Sequence, residues 1–123
     1  MKATFFENQL KFREWFENNH DKETELIVGF YKVGSGKPSM IWSESVDQAL
    51  CFGWIDGVRK SIDKDSYSIR FTPRKRNSIW SAINIKKIEV LTNSGLMKPE
   101  GISAFALRKE EKSNVYSHEK EFV

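Results

Sequence analysis

The sequence has 123 residues and a mass of 14.3 kDa, enough for one ordinary domain and too little for two well-packed ones, which excludes a large multi-site enzyme. Hydrophobic residues at 39%, charged residues at 30% and aromatics at 13% describe a chain too rich in Trp and Phe to be disordered and too charged to be a membrane span. The formal charge is only +3, yet residues 58–87 hold nine Lys/Arg against two Asp/Glu, whereas residues 1–57 hold six against nine and residues 88–123 five against six. Such a band attracts phosphates or acidic surfaces unless its neighbours in the fold neutralise it.

Cys51 is the only cysteine, so no internal disulfide can form and a disulfide-stapled secreted scaffold is excluded. The opening MKATFFENQLKFREWF is broken by Glu7, Asn8, Lys11 and Arg13 and contains no apolar run of signal-peptide length. No stretch approaches the roughly 20 apolar residues of a spanning helix. These features predict a cytoplasmic protein that does not insert into a membrane.

Phe12, Trp15, Phe16 and Asn19 stand three or four apart between charged residues, which predicts an amphipathic helix over 8–19. ELIVGFYKV at 25–33 is dense in apolar residues and runs into GSGKP, so it predicts a strand ending near Gly34. Ser45 followed by Gln48 matches a capping box and predicts a second helix starting there, carrying Val46, Ala49 and Leu50 and closed by Gly53. Ile55–Asp63 and Ser66–Thr72 flank Lys64 and Asp65, and Tyr67, Ile69 and Phe71 alternate with Ser68, Arg70 and Thr72. That period of two predicts a hairpin with one wet face.

Pro73 ends the pairing because it lacks an N–H, and Arg74-Lys75-Arg76 forms a basic turn before Asn77 or Ser78 caps a third helix through Ile79, Ile83, Ile88 and Leu91, which runs to Asn93-Ser94-Gly95. Pro99 opens a further helix with Ile102, Phe105, Ala106 and, further on, Tyr116. The order predicts an α+β fold, a small antiparallel sheet with helices packed mainly on one face. It is read as a single domain with its core at about 8–101 and a partly helical tail over 102–123. The final SHEKEFV supplies no closing element, as if a further segment had been removed.

GSGKPS at 34–39 fails as a phosphate loop, since the first glycine is missing at the required distance and Pro38 stands where a magnesium-binding hydroxyl belongs. His20 and His118 have no Cys or carboxylate at ligand spacing, so no metal site and no cofactor is predicted. Leu50 and Phe52 beside Cys51 suggest a buried thiol rather than a nucleophile. Asp56 in GWIDG is either an acid aimed from a tight turn or a turn residue bonding its own backbone.

The stretch RFTPRKRNSIWSAIN at 70–84 is the most informative. Cations, hydroxyls and Trp80 stand where a strand gives way to a helix, whose N-terminus offers free amides and a positive dipole end. Arg70, Arg74 and Arg76 can fork onto an oxyanion there. Alternatively Arg74 stacks on Trp80 and Ser78 only caps the helix.

The segments FREWFENNH, ALCFGWIDG, FTPRKRNSIWSAIN and GLMKPEG, over about residues 12–101, resemble the YdeI or OmpD-associated family, also called bacteriocin-protection proteins. The resemblance implies a bacterial protein linked to tolerance of antimicrobial peptides and to porin association, and an α+β fold of the loose YjbR and CyaY-like grouping. It carries no settled reaction, and the Lys-, Arg- and Trp-rich C-terminal helical segment usual in that family is absent here. Together these readings point first to a non-enzymatic binding module in which Trp54, Asp56, Arg59, Arg70, Arg74, Arg76, Ser78, Trp80 and Asn84 serve an anionic small-molecule, peptide or protein partner. The alternatives are nucleic-acid binding through the basic band at 58–87 and an enzyme using Asp56.

Overall fold

The computed structural model describes residues 2–108 and Ser113. In chain order it contains β1 (Thr4–Phe5), α1 (Gln9–Asn19), β2 (Leu26–Tyr31), a short 3-10 turn (Val33–Ser35), α2 (Trp42–Cys51), β3 (Trp54–Asp63), β4 (Ser66–Pro73), α3 (Ala82–Asn93) and α4 (Pro99–Ala106). The class is α+β, as the sequence predicts, and the four strands form one sheet in the order β1-β2-β4-β3. It is mixed rather than wholly antiparallel. β1 pairs parallel with β2, Thr4 opposite Val28, while β2–β4 and β4–β3 are antiparallel. A parallel neighbour needs a crossover, and the segment carrying α1 supplies it.

The chain divides into two compact units, one made of residues up to Ala49 together with Trp54–Pro73, the other of Leu50–Gly53 with residues from Arg74 on. In the first, α1 begins at Asn8, whose side chain accepts the Lys11 N–H at 3.1 Å. Its buried face lies on the sheet. Phe12 meets the Phe71 ring edge-on at 5.3 Å, and Phe16 meets Trp54 in the same way at 5.3 Å. Val28, Phe30 and Ile69 complete this core from the same face of β2 and β4. On the opposite face the Phe5 ring lies against Gly29, where an added Cβ would stand 2.6 Å from it, and stacks on Tyr31 at 4.4 Å.

α2 starts three residues earlier than the Ser45–Gln48 pair predicts. Its box is one turn upstream, with the Ile41 N–H donated to Glu44 Oε1 at 3.1 Å. Ser45 is buried inside the first turn and its Oγ donates to Trp42 O, while Gln48 Nε2 donates to Gln9 Oε1 at 2.7 Å and Gln48 Oε1 accepts from Arg13. The i,i+3 spacing of hydroxyl and amide thus serves tertiary contact. Gly53 closes the helix with φ 76°, a conformation that a side chain would penalise.

In the second unit the Lys98 N–H donates to Cys51 O at 3.0 Å and the Arg74 N–H to Gly53 O at 2.9 Å, so residues 50–53 are tied to both the start of α4 and the chain leaving β4. Trp80 is 1% exposed and meets Phe105 of α4 edge-on at 5.3 Å. It also forms an isolated parallel bridge with Ser113. α3 is capped by Ser81, not by Asn77 or Ser78: Ser81 Oγ accepts the Asn84 N–H at 3.1 Å. Ile79 therefore lies in the loop before the helix and Ile83 is largely exposed, leaving Ile88 and Leu91 as the buried positions. Pro99 opens α4 as expected. The expected continuation to Tyr116 lies outside the described residues.

Candidate functional site

Four of the nine residues singled out by the sequence belong to the first unit: Trp54, Asp56, Arg59 and Arg70. Trp54 is 2% exposed and packs edge-on against Trp15 and Phe16, which makes it a core residue. Asp56 neither bonds its own turn nor faces a candidate base; its Oδ2 accepts the indole N–H of Trp42 at 3.1 Å. The Arg59 guanidinium lies 3.7 Å above the Tyr67 ring. Arg70 is paired with Glu25 through Nε and Oε1. Each side chain is engaged by a different neighbour.

The other five, Arg74, Arg76, Ser78, Trp80 and Asn84, belong to the second unit, and three of them meet. The Arg74 guanidinium lies 3.8 Å above the Trp80 ring, and its Nη1 donates to Ser78 Oγ at 3.0 Å and to Ile79 O at 3.1 Å. A planar cation held on an indole face and spent on two acceptors is a fastener. It closes the loop from Pro73 to Trp80, in which the Ser78 N–H also returns to Lys75 O at 3.0 Å. Lys75, Arg76 and Asn77, at the tip of that loop, are exposed, and among the described residues no acidic side chain pairs with Lys75 or Arg76. Asn84 contributes its backbone N–H to the Ser81 cap.

This geometry settles which of the two arrangements around Trp80 is adopted. Arg74 stacks, as one of them requires, but Ser78 holds Arg74 rather than the helix. The expected fork of Arg74 onto an oxyanion has lost one nitrogen to the protein itself. What remains presented to solvent is a loop tip carrying two cations, Lys75 and Arg76.

Sequence reasoning overlooked Trp42, a residue 51% exposed whose indole N–H donates to Asp56. It also overlooked Lys60, although Val58, Lys60 and Ile62 alternate along the hairpin whose wet face it predicts. Among the described residues no three His, Cys, Asp or Glu side chains are grouped to hold a metal ion, and no helix is long and apolar enough to cross a membrane.

Fold and site thus define a small α+β protein with a four-stranded mixed sheet and a pinned basic loop. The chain belongs to the family described as a domain of unknown function, DUF8412, whose model matches residues 4–104 and so runs from β1 into α4. No curated protein and no solved structure matches the chain.

Proposed function

We propose that the protein is a non-enzymatic binding module that takes an anionic partner on the basic loop between β4 and α3. The observation that carries this reading is the clamp of Arg74 on Trp80, Ser78 and Ile79, which fixes the loop that displays Lys75 and Arg76. Prior fixation lowers the entropy lost on binding. The second unit carries ten Lys/Arg against six Glu in the sequence, a net positive charge that favours an anionic partner. The likeness of ALCFGWIDG and FTPRKRNSIWSAIN to the YdeI or OmpD-associated proteins agrees with a binding role and suggests a bacterial setting in antimicrobial-peptide tolerance, with porin association following from that likeness alone. We place the protein in the reducing cytoplasm, in keeping with a lone, buried Cys51.

Nucleic acid is a second reading of the same loop, favoured by the excess of cations in that unit. An acid–base role for Asp56 is less favoured, because its carboxylate is occupied by the Trp42 indole.

The test is fluorescence anisotropy with a labelled poly-glutamate peptide and a labelled DNA duplex, comparing the unaltered protein with a Lys75→Ala/Arg76→Ala variant and with Arg59→Ala as control. Both loop side chains are exposed, so the double variant should keep its circular dichroism spectrum. It should lose about tenfold or more in affinity, as expected for removal of charge-assisted contacts. Equal affinity in the double variant and the unaltered protein removes the loop as the contact.

A further inference from the structure

The first unit has a second feature, on the sheet face opposite α1. Near β1 that face is closed by the chain itself, with Phe5 over Gly29 and stacked on Tyr31. Toward β3 it is open and forms a groove of about 460 Å³. Two register shifts in β3, between Asp56 and Arg59 and between Ser61 and Asp63, interrupt its pairing with β4. Bulges of this kind bend and twist a strand, and bending an edge strand over its neighbours makes a concavity from an otherwise flat face.

The floor and walls are Ile27, Val58 and Ile62, with Ser61 and Ser68 among them. Three charged groups also line it. Glu25 and Arg70 are paired with each other at one end, whereas Lys60 pairs with no acidic side chain among the described residues. Apolar walls with a few convergent polar groups, at a volume of a few hundred Å³, are the composition of a small-ligand site.

The charge pattern selects the ligand. With Glu25 and Arg70 neutralising one another, the groove offers one uncompensated positive charge, and a carboxylate matches it. A phosphate monoester would bring a charge of about −1.5 to −2, leaving excess negative charge near the Glu25 carboxylate. An extended peptide added to the β3 edge would need a regular ladder, which both bulges break. We infer that the groove formed by Ile27, Val58, Lys60, Ile62 and Ser68 binds a small amphipathic monocarboxylate, its carboxylate on Lys60 and its hydrocarbon body along the isoleucines. A chain of about eight to ten carbons suits a groove of this size. This inference rests on residues separate from the basic loop and stands or falls without it.

The full chain, uniformly labelled with 15N, would be titrated with decanoate below its micelle concentration and followed by amide shifts and calorimetry. Decanol and decyltrimethylammonium serve as neutral and cationic comparators. Saturable binding with shifts centred on Ile27, Lys60, Ile62 and Ser68 is expected. The Lys60→Gln variant should weaken decanoate about tenfold and leave decanol unchanged, while Ile62→Gln should weaken both. Both positions are exposed in the free protein, so either variant should fold, which the spectra report directly. The inference is overturned by an absence of saturable shifts, by shifts centred elsewhere, by cationic and anionic ligands binding alike, or by unchanged decanoate affinity in Lys60→Gln.

Discussion

A Cβ on Gly101 would stand 2.5 Å from the carbonyl oxygen of Leu50 and closer still to that of Cys51, both of them backbone atoms that no rotamer change can move. The Lys98 N–H also bonds Cys51 O, so the start of α4 is drawn against this strand of carbonyls and has no room to retreat. Gly101→Ala should therefore cost about 1–3 kcal/mol, the range of overpacking. Gly34→Ala, where nothing lies within 4 Å of the new methyl, should be close to neutral; urea midpoints of the two variants give the comparison. A different constraint acts at Asp63. Its Oδ1 accepts the Asp65 N–H at 2.9 Å and the Ser66 hydroxyl at 2.8 Å, and these bonds, the backbone one first, hold its carboxyl below the ordinary value of 3.8. A depressed carboxyl stabilises the fold above its unfolded pKa of roughly 3.9. That contribution is lost as the pH falls through the folded value. An NMR titration should place the Asp63 midpoint below those of exposed carboxylates, and Asp63→Asn should remove this part of the acid sensitivity of the β3–β4 hairpin.

Among the elements, α3 offers a direct test of what begins a helix. Ser81→Ala removes the acceptor of the Asn84 N–H and should cost about 1 kcal/mol, with faster exchange of that amide. Ser78→Ala should leave the Asn84 amide untouched, because Ser78 accepts from Arg74 instead. The expected caps, Asn77 and Ser78, lie about a turn too early, because residue type marks a possible cap but not where the chain stands extended before the helix, which here is at Ser81. The same ambiguity shifts α2, where Ser45 and Gln48 have the spacing of a box but point into the interior, and Ile41 with Glu44 does the capping. The β3–β4 hairpin is legible because alternation over Tyr67, Ile69 and Phe71 repeats across several residues and a two-residue turn follows from Lys64-Asp65. β1 is not legible, since two residues carry no period and a parallel partner more than twenty positions away leaves no local mark. For the candidate site, the sequence locates the basic loop but not the direction of its aromatic residues. Trp54 directly follows Gly53 and Trp80 stands four residues after Arg76 in the chain, yet the packing of Phe16 on one and Phe105 on the other draws both indoles inside.

At the scale of the whole molecule, the charge that looks like one continuous band along residues 58–87 is divided by the fold. Arg59, Lys60, Lys64 and Arg70 fall in the unit that also holds eleven Asp/Glu, and Arg59 and Arg70 are already engaged there by Tyr67 and Glu25. Arg74, Lys75, Arg76, Lys86 and Lys87 fall in the unit that holds six Glu and no Asp. Linear charge counts treat the two sets alike, although the units that hold them differ in acid content. This separation gives the basic-loop reading a quantitative test in salt. If a DNA duplex is the partner, the logarithm of the association constant should fall linearly with the logarithm of salt concentration, by about 0.9 per phosphate neutralised. Lys75→Ala/Arg76→Ala would then reduce the slope by roughly 1.8, two contacts' worth, whereas Arg59→Ala and Lys64→Ala should leave it unchanged. A slope that responds equally to cations of both units would show that the partner reads net charge rather than the loop fastened by Arg74.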